Sequence, residues 1–335
     1  MTSLLLSMLA WNATQCNDGS PARIYFAQSA TPPAHTIVYL QGGGFCFDGT
    51  SCALRWQQSP DLMSSKSYPS SMYAGGWVGA RKDVDVFYFR YCTSDSFSGN
   101  ATHTSLGWSF LGAQMVRQAF ESGAINVRTQ SVIFSGSSAG AEGLYPHSDW
   151  LAKFLGPSRV RVLVDSGYFL ASAPFVQGNC QQLGTCTEQG AMQRGVPLWQ
   201  AVVDTSCAAV HTGGDLWKCM QGPWAANFVT RASLFVFQWR FDSVQLGHDG
   251  IYRLPTSGAP LAYAQASAKN LTAAVASLQN VAGFFLPSCY RHTVLEDPQW
   301  AGVRVGGVSL LQALNGSLRV ADQCMTPNCN PTCPK

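Results

Sequence analysis

The sequence predicts an α/β protein with a central, mostly parallel sheet flanked by helices, and three observations carry that expectation. Short β-branched or aromatic runs recur at residues 36–40, 84–89, 131–135, 160–164, 234–239 and 283–286, with the length and composition of buried strands. Helical patterns at 110–122, 150–155 and 261–278 fall between several of them, and strands alternating with helices imply parallel pairing. Apolar residues make up 46% of the chain and charged ones 12%, enough to cover both faces of such a sheet.

The 335 residues exceed a typical domain but suit one α/β unit with insertions, so residues 1–335 are expected to form a single domain. Along it, the apolar run at 4–9 is too short to span a bilayer and lacks a basic flank, so residues 1–10 are expected to be the remnant of a signal segment. The next two strand runs, 36–40 and 84–89, are followed by the helical pattern 110–122 and the strand 131–135. Beyond the strand 160–164, residues 169–224 are rich in Cys, Gly and Gln with a helical signal only around 191–203, and are expected to be a cap-like insertion over the sheet. The strand 234–239, the long helix 261–278 and the strand 283–286 complete the alternation. Residues 324–335, rich in Pro and Cys, are expected to be a disulfide-stapled tail. No run of about 18 apolar residues occurs, so no membrane-spanning helix is expected.

A net charge of +3 without runs of like sign argues against a polyanion-binding surface, and nucleic acid is not an expected partner. Twelve cysteines, an even number with no CxxC spacing, favour six disulfides and an oxidising compartment over a zinc site. Several sit at loop-like spacings, such as Cys46/Cys52, Cys180/Cys186 and Cys329/Cys333; twelve cysteines allow too many pairings for spacing to choose among them, and Cys46–Cys52 is the one local pairing expected. Sequons at Asn12, Asn100, Asn270 and Asn315 fit a secreted glycoprotein, expected to be monomeric.

The chemistry centres on Gly136-Ser137-Ser138-Ala139-Gly140, a G-x-S-x-G match that follows the strand 131–135 and opens a helical pattern. That context marks a nucleophile elbow: a strained strand-to-helix turn presents the Ser138 hydroxyl, and small neighbours leave room for backbone and substrate. A fold of the α/β-hydrolase type follows. Pro146, early in the next helix, should kink it or delay its start. Gln41-Gly42-Gly43-Gly44-Phe45 ends the strand 36–40, where such enzymes carry the other half of an oxyanion hole. The amides of Gly43, Gly44 and Ala139 are the candidate donors. A phosphate loop would need Gly-Lys-Ser/Thr, which is absent.

The base should be one of six histidines: His35, His103, His147, His211, His248 or His292. In this fold the acid and then the histidine follow the serine, which removes His35 and His103 and favours His292, shortly after the strand 283–286, with His248 the runner-up. For the acid, Asp242 follows the strand 234–239, and Asp165, which ends the strand 160–164, is its rival. Phe45, Tyr168, Phe169 and Phe241 are candidate lining residues of a pocket.

These residues together resemble the pectin acetylesterase/Notum family of α/β-hydrolases, from about Leu9 to Pro334. The matching stretches are LQGGGFCF, RYCTSDSFSG, FSGSSAGAEG, LVDSGYFL, FVFQWRFDSVQL, LPSCYRH and CNPTCP. The resemblance implies a triad of Ser138, Asp242 and His292, with Gly43, Gly44 and Ala139 as oxyanion-hole amides. Gly44 and Phe45 stand where animal Notum proteins carry Trp-Tyr, closer to the plant pectin acetylesterase form, whereas the Asp242 neighbourhood and the Trp-rich insertion are closer to Notum.

The expected activity is ester hydrolysis by acyl transfer to serine, with no metal or organic cofactor required. The first expectation for the substrate is an O-acetyl group on cell-wall polysaccharide such as pectin, which places the protein outside the cell, in the wall. The alternative is a long acyl chain on a secreted protein, and a third reading is a catalytically silent binding protein on the hydrolase scaffold. A small, polar, open pocket would favour acetylated sugar; a deep apolar cavity of several hundred cubic ångströms would favour a lipid.

Overall fold

Each apolar run carries side chains for two faces, and that is why it sits in the middle of a sheet. In the computed structural model, which describes residues 3–80 and 83–335, strand β6 (Val132–Ser137) sends Val132 and Phe134 into one core and Ile133 into another. Strand β3 (His35–Leu40) does the same with Val38 and Leu40 against Ile37 and Tyr39. Alternation in a strand covered on both faces yields the near-continuous hydrophobic run seen in the sequence.

The described residues form a ten-stranded sheet, with β1 (Leu4–Met8), β2 (Ile24–Ala27), β4 (Ser71–Ala74), β5 (Val84–Phe89), β7 (Val160–Asp165), β8 (Ser233–Phe237) and β9 (Val281–Leu286) beside β3 and β6. After a small hairpin, β10 (Arg304–Val305) and β11 (Val308–Ser309), the strand β12 (Arg319–Ala321) completes it. The order is β12-β9-β8-β7-β6-β3-β5-β2-β1-β4. Pairing is parallel from β12 through β5, whereas β2, β1 and β4 add an antiparallel edge. The α/β-hydrolase fold expected from the sequence is therefore present. Leu4–Met8, within the run expected to be a leader remnant, pairs with Ala27's strand β2 and with β4 in that edge.

The main helices are α1 (Gly49–Gln58), α2 (Gly112–Glu121), α3 (Ala139–Glu142), α4 (Tyr145–Leu155), α5 (Glu188–Trp199), α6 (Ser243–His248) and α7 (Gly258–Ser277). Pro146 acts as expected: the helix opened by the elbow stops at Glu142, and a second begins at Tyr145 with the proline in its first turn, where its missing N–H costs nothing. The strand expected over 234–239 ends at Phe237, because the chain turns off to carry Asp242 and the Trp239 indole donates to the Thr293 carbonyl (3.0 Å).

All twelve cysteines pair: Cys16–Cys92, Cys46–Cys52, Cys180–Cys186, Cys207–Cys219, Cys289–Cys333 and Cys324–Cys329. This is the pattern of a chain that folds in an oxidising compartment. Close spacing does not set the partner in the tail. Cys329 and Cys333 do not join each other; Cys329 closes a loop with Cys324, and Cys333 reaches back to Cys289 after β9. The tail has no strand of its own to anchor it, and Cys289 lies beside it in space though 44 residues away in sequence. All four sequon asparagines are exposed, and no described helix is long and apolar enough to cross a membrane.

Candidate active site

Parallel pairing brings the C-terminal ends of β3, β6, β8 and β9 to one edge of the sheet, and the strand order reverses between β3 and β6. Open α/β sheets bind ligands at such a switch point. Ser138 follows β6 there with φ 55° and ψ −126°, a conformation costly for any residue with a Cβ. The turn is held by Ser138 N–H donating to the Asp165 carbonyl (2.8 Å), while its own carbonyl accepts from Ala141 and Glu142 (2.8 and 3.0 Å). Gly140 lies so close to the Leu40 carbonyl that a Cβ would clash with it, which is why the motif needs glycine here.

The two adjacent serines differ in kind. Ser137 Oγ accepts from Tyr39 (2.9 Å) and donates to Asp165 (2.5 Å), so its hydroxyl is consumed by structure. Ser138 lines a cavity of about 370 Å³ together with His292, and the His292 Nε2 atom has no partner among the described residues.

His292 Nδ1 donates to Asp242, at 3.0 Å from Oδ1 and 2.9 Å from Oδ2. Asp242 is the N-cap of α6, accepting from the Val244 and Gln245 amides (2.9 and 3.1 Å), and Gln238 Nε2 donates to its other oxygen (3.0 Å). Capping thus fixes the carboxylate before the imidazole meets it. Burial by itself pulls the His292 pKa down, but the charge and hydrogen bond of Asp242 outweigh it, and the pKa lies above the ordinary 6.5.

Asp165, the rival acid, has a different task. It accepts from Ser137, Ser166 and the Val294 and Leu295 amides, tying the segment after His292 to the end of β7. Of the other histidines, His147 is fully buried, contacts the Phe97 carbonyl through Nε2, and is pulled down to about 3 by burial. His248 lines the cavity but pairs with Glu188 rather than with an aspartate (2.9 Å). His103 lies on the surface. Among the aromatic candidates, Phe45 and Phe169 line the cavity; Tyr168 and Phe241 do not, because they are packed into separate cores.

The glycine loop after β3 forms the opposite wall. Gly43 and Gly44 have φ of 143° and 64°, conformations that favour glycine, and the Arg55 guanidinium of α1 binds both carbonyls from outside (2.7 and 3.4 Å). Their carbonyls held outward, the Gly43 and Gly44 amides donate to no other described residue, nor does that of Ala139 at the start of α3. The Cys46–Cys52 bridge and the Trp199 indole, which donates to the Cys46 carbonyl (2.8 Å), brace the loop further.

The structure thus brings Ser138, His292, Gly43, Gly44 and Ala139 to one cavity, with Asp242 behind His292, all drawn from four strand ends. Sequence reasoning missed Arg55, Gln238, Glu142 and Glu188. Arg55 could have been found from its place one turn beyond Cys52; Glu142 stood out only as a charge in an otherwise small and apolar helix start.

The pectinacetylesterase family profile matches residues 2–334. Palmitoleoyl-protein carboxylesterase notum2 of Xenopus laevis is 30% identical over 353 aligned positions, spanning 95% of this chain and 72% of that protein. The palmitoleoyl-protein carboxylesterase NOTUM of Homo sapiens is 28% identical, over 99% and 73% of the two chains. The solved structure of the Wnt deacylase Notum from Drosophila superposes with a TM-score of 0.87 at 28% identity, covering 99% of this chain and all of that one. The chain belongs to the pectinacetylesterase family and is a carboxylesterase-type hydrolase of the α/β-hydrolase fold.

Proposed function

We propose that the protein is a serine esterase that removes O-acetyl groups from cell-wall polysaccharide such as pectin, with Ser138 as nucleophile, His292 as general base and Asp242 as the acid that orients it. The observation that carries the reading is the elbow: Ser138 is held at φ 55° on the same cavity as a histidine whose Nδ1 is occupied by Asp242 and whose Nε2 is free to take a proton.

In this mechanism His292 Nε2 removes the Ser138 proton as Oγ attacks the ester carbonyl carbon. The oxyanion is held by the amides of Gly43, Gly44 and Ala139, and His292 returns the proton to the departing alcohol. Water then enters, is deprotonated by the same imidazole, and releases the carboxylic acid and free Ser138. Arg55 acts through the loop, keeping the Gly43 and Gly44 carbonyls away from the developing charge. Residues 169–224 serve as a cap on a single α/β-hydrolase domain, and the protein works outside the cell, in the wall.

A second reading, deacylation of a lipid-modified protein, is favoured by the names of the relatives and by a cavity volume large enough for a chain. Hydrolysis of p-nitrophenyl esters from acetate upward, on the wild type and Ser138→Ala, separates the two. Preference for acetate, lost in Ser138→Ala, supports the acetylesterase; preference for eight or more carbons moves the assignment to the lipid; and activity undiminished in Ser138→Ala overturns the triad.

A further inference from the structure

A second cavity, of about 240 Å³, adjoins the catalytic one, and the two share Gly43, Gly44, Phe45 and Leu183 as a common wall. The wall is thin where Gly44 meets Leu183: a Cβ on Gly44 would lie 2.9 Å from a Leu183 methyl. Helix α1 forms one side of this outer cavity, and residues 182–184, inside the loop closed by Cys180–Cys186, form the other.

The lining is polar and carries one charge. Gln58, Ser59 and Gln182 supply amide and hydroxyl groups, and Arg55 is the one ionised side chain among the described lining residues. Arg55 and Gln58, three positions apart on α1, sit on the same side of the helix. The guanidinium donates to neutral acceptors: Nε to Ser94 Oγ (2.7 Å), Nη1 to the Gly43 carbonyl (2.7 Å) and Nη2 to the Gly44 carbonyl (3.4 Å). Three of its five N–H groups are thereby used, and one on each Nη is left. No carboxylate among the described residues lies within ion-pair distance of it. Burial pulls its pKa below the ordinary arginine value, yet a guanidinium keeps its proton at any working pH. A partly buried cation without a counter-ion, in the wall of a polar cavity, is the partner that an incoming carboxylate lacks.

We propose that the outer cavity is a flanking sugar subsite, which takes the uronic acid next to the acetylated residue, its carboxylate on Arg55 and its hydroxyls on Gln58, Ser59 and Gln182. The inference rests on the reading of the catalytic cavity as a polysaccharide acetylesterase site, since a pectin chain carries uronic acids on either side of the acetylated one. One cation suffices for this recognition, in keeping with a chain that has no basic run. p-Nitrophenyl acetate carries no carboxylate, so toward that ester Arg55 acts through the glycine loop alone and its loss shows in kcat.

The test compares kcat/KM for acetylated oligogalacturonate, for the same oligosaccharide with its carboxyls methyl-esterified, and for p-nitrophenyl acetate. The proteins are the wild type, Ser138→Ala, Gln58→Glu and Gly184→Phe, with near-UV circular dichroism to confirm folding. The wild type should favour the acidic oligosaccharide over its methyl ester at least about tenfold, the scale of one hydrogen bond to a charged group. Gln58→Glu, which sets a carboxylate beside Arg55, should remove that preference through KM. A Cβ at Gly184 meets nothing within 4 Å, so Gly184→Phe has room to fill the cavity and should lower kcat/KM for both oligosaccharides relative to p-nitrophenyl acetate. If Gly184→Phe fails to fold, Gln58→Glu, a change at an exposed helix end, carries the test. Equal kcat/KM for the two oligosaccharides in the wild type, or an acidic preference that survives Gln58→Glu, overturns the subsite while leaving the acetylesterase reading intact. Ser138-dependent hydrolysis of p-nitrophenyl acetate with no acetate released from either oligosaccharide overturns both.

Discussion

His292 and Asp242, fifty residues apart in sequence, lie 2.9 Å apart between Nδ1 and Oδ2, and the carboxylate is independently fixed as the N-cap of α6. The imidazole therefore meets an acceptor that is already in place, and its raised pKa follows from that contact.

Asp242→Asn should lower kcat by about 10³- to 10⁴-fold, because the amide no longer sets the tautomer or stabilises the imidazolium. A base must be neutral to act, so a raised His292 pKa puts the acid limb of the wild-type kcat/KM profile above pH 6.5, with activity falling as the pH drops through it. In Asp242→Asn only burial remains dominant, and the limb should move to lower pH. The stability linked to His292 has the opposite sense: it is fully present below the unfolded-state value of 6.5 and lost as the pH rises through the higher folded value. A pH–rate profile of both proteins checks the first, and denaturation midpoints across the same range check the second.

Ser138→Gly should abolish ester hydrolysis yet stabilise the fold by about 1 kcal/mol, since glycine accepts φ 55° and ψ −126° without the penalty that serine bears. Ser138→Ala keeps the Cβ and should be equally inactive with no such gain. Chemical denaturation of the pair alongside the wild type is the measurement.

Arg55→Ala should reduce kcat by about 10²-fold, the scale of losing one oxyanion donor, with KM little changed, as the Gly43 and Gly44 carbonyls lose their clamp. Arg55→Lys should rescue little, because one ammonium cannot reproduce the guanidinium fork on two carbonyls. Steady-state kinetics read the split, and near-UV circular dichroism should remain that of the wild type.

Removing Cys16–Cys92 as a double serine variant should cost about 4 kcal/mol, since that bridge closes a separation of 76 residues. Removing Cys180–Cys186, with a separation of six, should cost about 2 kcal/mol. Guanidinium denaturation of the two variants gives the comparison.

The strands that surround the site were legible because a sheet covered on both faces writes itself as an uninterrupted apolar run, as in 36–40 and 160–164. The edge strands were not: β2 and β4 are short, and Ser71–Ala74 carries no distinctive run, while the apolar run at 4–9 that holds β1 was read as a leader remnant. Phe241 and Tyr168 looked like lining residues because aromatics near a site and aromatics in a core have the same composition; only packing separates them.

The sequence by itself determined the α/β-hydrolase fold and the tight strand-to-helix turn at Ser138, because these are written in local runs, glycine spacing and chain direction. Tertiary structure alone decided that Asp165 holds a loop while Asp242 meets His292, that Cys333 pairs with Cys289, and that Glu142, Glu188 and His248 share one wall. The reason is physical: a side chain's partner depends on distances between segments far apart in the chain, and those distances exist only once the sheet has brought its strand ends together.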